Sequence, residues 1–219
     1  MNSEENIRKI FLFGSALLLI FIVGGLIWAV MAGPGEGGGT VDPNLAFNDA
    51  GAPSLGPEDA KVTVRIYSDF QCPACKLAEL ELKPIMEEFK DRIRFIWNDF
   101  PLPELHPNAP AAALAARCAQ EQGKFWEYHD ELFANQQIWS AATSSAVLTE
   151  MAVEIGLNPE NFIKCLNSAP PKEKVNNDYI EAVNFGLNST PTFFVNRTKY
   201  SGAMDRQAWV DAINAELFK

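Results

Sequence analysis

The stretch "SDFQCPACKLAELELKPIMEEF" (Ser68–Phe89) sets Cys72 and Cys75 three positions apart at the head of a predicted helix. Pro73 suits the first helical position, where its missing N–H removes nothing the helix needs. Cys72 is then the N-cap, and Cys75 lies one turn in. A helix start offers unpaired N–H groups and the positive end of a dipole, and both favour a thiolate. A free thiol, with a pKa of about 8.5, supplies little thiolate at neutral pH, so this placement is what turns a cysteine into a nucleophile. It assigns the exposed attack to Cys72 and the release of a mixed disulfide to the more shielded Cys75. Two other readings compete: half of a metal site, or a structural staple. Zinc wants four ligands, and the remaining candidates, Cys118, Cys165, His106 and His129, include no second close pair. A bridge between positions so near each other closes too short a loop to stabilise much. A redox pair is the preferred reading, with no metal and no bound cofactor expected.

Working outward, "KVTVRIYSDF" is β-branched and alternating, which predicts a strand over Val62–Tyr67. Residues 73–90 predict a helix whose apolar face comprises Leu77, Leu80, Leu82, Ile85, Met86 and Phe89, kinked at Pro84. "RIRFIWNDF" supplies a second strand, about Arg92–Asn98. A strand–helix–strand unit favours parallel pairing with a right-handed crossover. A C-x-x-C that follows a strand and opens a helix is a thioredoxin-like redox signal with much more force than the motif alone. From Asn108 to about Ser168 the period becomes helical, with a break near Gly123 and a stop–start signal at Gly156–Pro159. A further helix over 172–186 leads to two short strands, "TPTFFVN" and "TKYSG", turning at Asn196-Arg197. "DRQAWVDAINAEL" closes the chain as a helix with Asp205 as N-cap. The fold class expected is an α/β sheet domain over 61–219 with a helical insertion at about 107–170.

The 219 residues carry a net charge of −10, which repels nucleic acid and anionic membrane surfaces alike, so nucleic-acid binding is excluded. "IFLFGSALLLIFIVGGLIWAVMA" (Ile10–Ala32) holds no charged residue, and at about 1.5 Å per residue it would cross a hydrocarbon core about 30 Å thick. Arg8 and Lys9 precede it, in the flanking run "ENIRK", and no Lys or Arg follows until Lys61. The expected order is therefore a cytoplasmic N-terminus (1–9), a single transmembrane anchor (10–32) and a domain outside the cytoplasm. A cleaved signal peptide is the alternative, and it yields the same compartment. Residues 33–60, rich in Gly, Pro, Asp and Asn, read as a flexible linker. In such a compartment disulfides persist, and an even number of cysteines fits full pairing.

The three motifs "SDFQCPAC" (Ser68–Cys75), "CAQEQGKFWEYHDELF" (Cys118–Phe133) and "STPTFFVN" (Ser189–Asn196) resemble the DsbA-like branch of the thioredoxin superfamily, in its membrane-anchored, extracytoplasmic form. The likeness spans roughly Leu55 to Lys219. It implies a thioredoxin fold interrupted by a helical domain, Cys72 and Cys75 as the catalytic pair flanking Pro73 and Ala74, and Pro191 as a cis-proline facing them. A cis bond there would aim the backbone of Thr190 at the sulfurs, while a trans proline opening an edge strand is the plainer alternative. The resemblance also implies that Asp69 stands near the buried thiol as a proton shuttle, against a loop or capping role. It further implies a second disulfide, Cys118–Cys165, against two free buried thiols. Two departures are present: Ser189 where relatives often carry Gly, and Ala74 where the strongly oxidising type carries His. Without that histidine, Cys72 is expected to be less acidic and its disulfide less oxidising. His106 and His129 read as surface or packed histidines, and Trp126, Tyr128 and Phe133 as core.

The expected function is a monomeric thiol–disulfide oxidoreductase at the outer face of the cell membrane, donating disulfides to reduced exported proteins and reoxidised by a membrane redox partner. A reductase or isomerase shares the same fold. A non-catalytic anchored chaperone or binding module is the rival from another class, and it alone predicts that Cys72→Ser leaves function intact.

Overall fold

The computed structural model describes residues 46–142 and 146–219. The expected cytoplasmic N-terminus, the membrane span at 10–32 and the linker as far as residue 45 lie outside them. Among the described residues no helix is long and apolar enough to cross a membrane.

Five strands form one sheet in the order β1-β3-β2-β4-β5. They are β1 (Ser54–Leu55), β2 (Val62–Ser68), β3 (Ile93–Asp99), β4 (Thr192–Val195) and β5 (Thr198–Ser201). β2 and β3 run parallel across the crossover helix α1 (Pro73–Phe89), while β1, β4 and β5 each pair antiparallel with their neighbours. The alternation of β2 decides which side is which. Val62, Val64 and Ile66 enter the main core with Phe95 and Trp97, whereas Tyr67 joins a second cluster with Phe100, Phe185 and Phe194. Between β3 and β4 lie α2 (Ala109–Glu121), α3 (Phe125–Ala134), α4 (Gln136–Ser140), α5 (Ala146–Glu154), α6 (Pro159–Leu166) and α7 (Pro170–Asn184). The chain closes with α8 (Arg206–Leu217), capped by Asp205 Oδ1, which accepts from Ala208 N at 2.8 Å.

Two sequence expectations need correction. The linker does not remain free as far as Ala60. Phe47 packs edge-on against Phe185 and Phe194, and Asp49 takes both guanidinium bonds of Arg65 at 2.8 and 2.6 Å. β1 then adds an edge strand to β3. This strap passes so close to the sheet that a Cβ on Gly56 would lie 2.0 Å from the Ile93 carbonyl oxygen. Its order comes from partners elsewhere in the chain, which its polar, aperiodic composition does not announce. Second, Leu77 (61% exposed) and Leu80 (66%) stand off the buried face of α1, which is formed by Cys75, Ala78, Leu82, Ile85, Met86 and Phe89. The helix itself runs from Pro73 to Phe89 with Pro84 inside it.

Cys118 in α2 and Cys165 in α6 are joined by a disulfide with an S–S distance of 2.06 Å. It closes a separation of 47 residues, a constraint on the unfolded chain of about 4 kcal/mol in the chain-entropy treatment. Deeper in, Arg117 is buried between two carboxylates, with Nε donating to Asp99 at 2.5 Å and an Nη to Asp178. Asp99 also accepts from the Trp97 indole at 2.8 Å, so β3, α2 and α7 are tied at one buried ionic junction.

Candidate active site

Cys72 is the N-cap of α1, with extended backbone (φ −69°, ψ 123°) and Pro73 following it at the first helical position. Its N–H donates to the Asp69 carbonyl at 3.1 Å, which folds residues 69–72 into the turn that delivers the cysteine to the helix start. Pro73 and Ala74 are exposed, while Cys72 (7%) and Cys75 (1%) are sunk behind them as free thiols. The Thr190–Pro191 peptide is cis, and the Thr190 carbonyl accepts from Cys72 Sγ at 3.6 Å. The geometry thus brings the C-x-x-C start, on α1, and the Thr190-Pro191 loop, which leads into β4, to one point.

The two thiols are held in opposite states. The Cys75 thiol donates to the Cys72 sulfur and, against the cost of burial, lowers Cys72 to about 5. The backbone N–H groups of Cys75 and Ala74 add to that stabilisation. Neutral, the Cys72 sulfur makes no capping bond and donates to Thr190; ionised, it faces the free amides of the helix start. Burial pushes Cys75 well above the ordinary thiol range, and holding the charge of Cys72 raises it further. Ala74 brings no charge, and the acidity of Cys72 comes from hydrogen-bond donors. In the reduced protein, the rate of Cys72 alkylation by iodoacetamide is expected to rise with a midpoint near pH 5, while Cys75 stays unmodified until the protein unfolds. A midpoint near 8.5 would remove the case for an activated thiol.

The Asp69 carboxylate makes loop contacts: Oδ1 accepts from Gln71 N at 2.7 Å and Oδ2 accepts from Leu102 N at 2.9 Å. His106 Nδ1 lies 2.8 Å from the same Oδ2, so this histidine belongs to the brace under the active-site turn. Against burial, the Ser68 side chain and the Asp69 backbone N–H act to lower the Cys75 pKa without cancelling its rise.

Gln136 was not singled out from the sequence. Fully packed at the start of α4, its amide nitrogen donates to the carbonyls of Phe70 at 2.8 Å and Cys72 at 3.0 Å. The helical insertion therefore grips the active-site turn directly. Nothing in a sequence marks a glutamine 64 positions away as a partner of Cys72. His129 is packed among Phe70, Trp97, Trp126 and Phe133. Burial alone would lower its pKa, but Glu79 of α1 and Asp130 outweigh it and raise it to about 9, leaving a buried cation between insertion and active-site helix. Among the described residues, no group of three or more His, Cys, Asp or Glu side chains is arranged to hold a metal.

The profile of the family described as Thioredoxin matches residues 48–215, and the chain belongs to that family. Its fold is shared with several solved structures. BdbD from Bacillus subtilis superposes with a TM-score of 0.71 at 24% identity, over 83% of this chain and 98% of that one. Wolbachia pipientis α-DsbA1 gives a TM-score of 0.68 at 21% identity, over 78% and 92%. A thioredoxin-like oxidoreductase from Silicibacter pomeroyi DSS-3 gives 0.68 at 24%, over 81% and 99%. Among curated proteins, the Na(+)/H(+) antiporter NhaA 1 of Salinispora arenicola is 35% identical over 160 residues, covering 73% of this chain. The antiporter NhaA of Herminiimonas arsenicoxydans is likewise 35% identical over 160 residues. The chain spans about a quarter of the length of these curated relatives (24% and 25%).

Proposed function

We propose that this protein is a thiol–disulfide oxidoreductase that donates the Cys72–Cys75 disulfide to reduced exported proteins. The observation that carries the reading is the split between an acidic Cys72 and a buried, protonated Cys75 beside the Thr190-Pro191 loop. Its consequence has a definite sign. Cys72 is depressed to about 5 in the folded protein, so the reduced fold gains stability that is fully present above the unfolded thiol value and lost as pH falls through 5. The disulfide form has no such term. At neutral pH the dithiol is favoured, which makes the disulfide a ready donor. In the cycle, a substrate thiolate attacks Cys72 Sγ, Cys75 leaves, and a second substrate thiol attacks the mixed disulfide. That second attack frees oxidised substrate and leaves the dithiol for a membrane redox partner to reoxidise.

The proposal places the domain outside the cytoplasm, tethered by residues 10–32. The uncharged run at 10–32 supports this placement, as does the Cys118–Cys165 bridge, which an oxidising compartment preserves. The antiporter names of the curated relatives do not extend to this chain, which matches a quarter of their length (24%). The test is equilibration of the purified protein in glutathione buffers with thiol trapping, paired with labelling of intact cells by a membrane-impermeant maleimide. A potential of about −120 to −200 mV together with labelling of Cys72 supports donation outside the cytoplasm. A value near −270 mV or below turns the reading to a reductase, and absence of reversible exchange ends it.

A further inference from the structure

Closing a bond between Cys72 and Cys75 demands placement as well as reactivity, because a disulfide forms only within narrow limits of distance and dihedral angle. Cys75 is fixed inside α1, but Cys72 precedes the helix with extended backbone, so its place depends on what holds its peptide groups. Its N–H donates to the Asp69 carbonyl at 3.1 Å. Its carbonyl accepts from Lys76 N at 3.2 Å, the first bond of the helix, and from Gln136 Nε2 at 3.0 Å. The same Gln136 nitrogen donates to the Phe70 carbonyl at 2.8 Å. Among the described residues that carbonyl has no other donor, and both side chains are buried. An acceptor left unpaired there is costly, and the turn would have to shift to bring it to water. The far end of α4 supports the same turn. The Ser140 carbonyl accepts from Asn108 Nδ2 at 3.0 Å, and Asn108 N donates to Gln71 Oε1 at 2.7 Å. One short helix of the insertion thus clasps residues 70–72 from both its ends.

Resting on the redox reading above, we propose that Gln136 is a positioning residue for disulfide closure: its amide holds the Phe70 and Cys72 carbonyls so that Cys72 Sγ is presented to Cys75 in bonding geometry. In the closing direction Cys75 gives up its proton and its thiolate bonds to Cys72 Sγ. The bond from Cys72 to the substrate sulfur breaks, and that sulfur leaves with the electron pair and takes up a proton. In the donating direction a substrate thiolate bonds to Cys72 Sγ and Cys75 leaves. Gln136 acts through the two carbonyls it holds. Orientation of this kind matters to a step that joins two groups of one chain, and little to a small reagent that reaches Cys72 from solvent.

The test uses the full chain, charged with glutathione at Cys72, and follows internal resolution of the mixed disulfide by quenched-flow trapping. Gln136→Met keeps the length of the side chain and removes its N–H groups. It is expected to slow resolution by about tenfold. The limiting rate of Cys72 alkylation by iodoacetamide is expected to stay within about twofold of wild type, since that reaction needs no alignment with Cys75. Gln136→Glu is expected to fall further behind wild type as pH rises, because the carboxylic acid still donates one bond and the carboxylate donates none. The deficit of Gln136→Met stays flat over the same range. Resolution at the wild-type rate in Gln136→Met overturns the proposal. So does an equal loss of alkylation and resolution, or a deficit in Gln136→Glu that ignores pH, since either would make Gln136 a packing residue. Should Gln136→Met fail to fold, the pH course of Gln136→Glu decides alone. A wild-type protein that forms no mixed disulfide at all fails at the earlier step and overturns the redox reading itself.

Discussion

Cys72→Ser is expected to abolish disulfide exchange, with the rate on a reduced model substrate falling by more than about a thousandfold, because an alkoxide is inaccessible where a thiolate forms near pH 5. Cys75→Ser is expected to behave differently. Its remaining Cys72 thiolate attacks a disulfide-bonded substrate, one substrate sulfur leaves as thiolate, and the mixed disulfide accumulates, since the thiol that releases it is gone. Non-reducing electrophoresis after incubation with the disulfide-bonded form of the substrate distinguishes the two: no adduct for the first variant, a persistent adduct for the second. This asymmetry follows from placement. Cys72 caps α1 beside the exposed Pro73 and Ala74, while Cys75 lies one turn in and is 1% exposed. An unimpaired Cys72→Ser protein would hand the function to the binding-module alternative.

The second large effect concerns stability. Arg117→Met is expected to destabilise the domain by about 3–5 kcal/mol, a fall in Tm on the order of 10 °C. The loss arises because two buried carboxylates, Asp99 and Asp178, are left without their cation. The pH dependence carries the diagnosis. Burial raises Asp178 to about 7 even with Arg117 opposing it. A carboxylate raised in the fold loses stability as pH climbs from its unfolded value through its folded one. In the wild type that loss ends near 7; without the arginine the folded pKa moves higher and the loss continues. The deficit of the variant should therefore widen as pH rises above about 7, measured by urea unfolding at several pH values. A constant deficit would mean lost packing alone.

The parts of the site that were legible in the sequence are the local ones. Pro73 after Cys72 announces a helix start, and "VTVRIYS" announces a strand whose alternate residues face one core. Those signals are carried within a few residues, where backbone geometry and period leave a mark. What stayed hidden is made by pairs brought together only on folding. Asp69 looks like an acid beside a thiol until His106, 37 positions on, and Leu102 are seen to occupy its carboxylate. Leu77 and Leu80 fit the apolar pattern of α1 but fall on its solvent side, because periodicity cannot tell which edge of a broad apolar stripe the core covers. The donors that hold Cys72 acidic stayed hidden for a related reason: they include the backbone N–H groups of Cys75 and Ala74, which no side-chain charge marks in the sequence.

The strap before β2 has a mechanical meaning. Any load borne by the chain ahead of Phe47 enters the domain at Phe47–Asp49, where the Asn48 N–H is held by Glu181 of α7 and Asp49 by Arg65 in β2. From there it divides between the middle of the sheet and a helix packed against it. Pulling on a tether would thus be spent on peeling Asp49 from Arg65 and Phe47 from its aromatic neighbours before any displacement reached Ser68. Such a strap would work as a strain relief, leaving the cysteine pair undisturbed by a pull on the chain ahead of it.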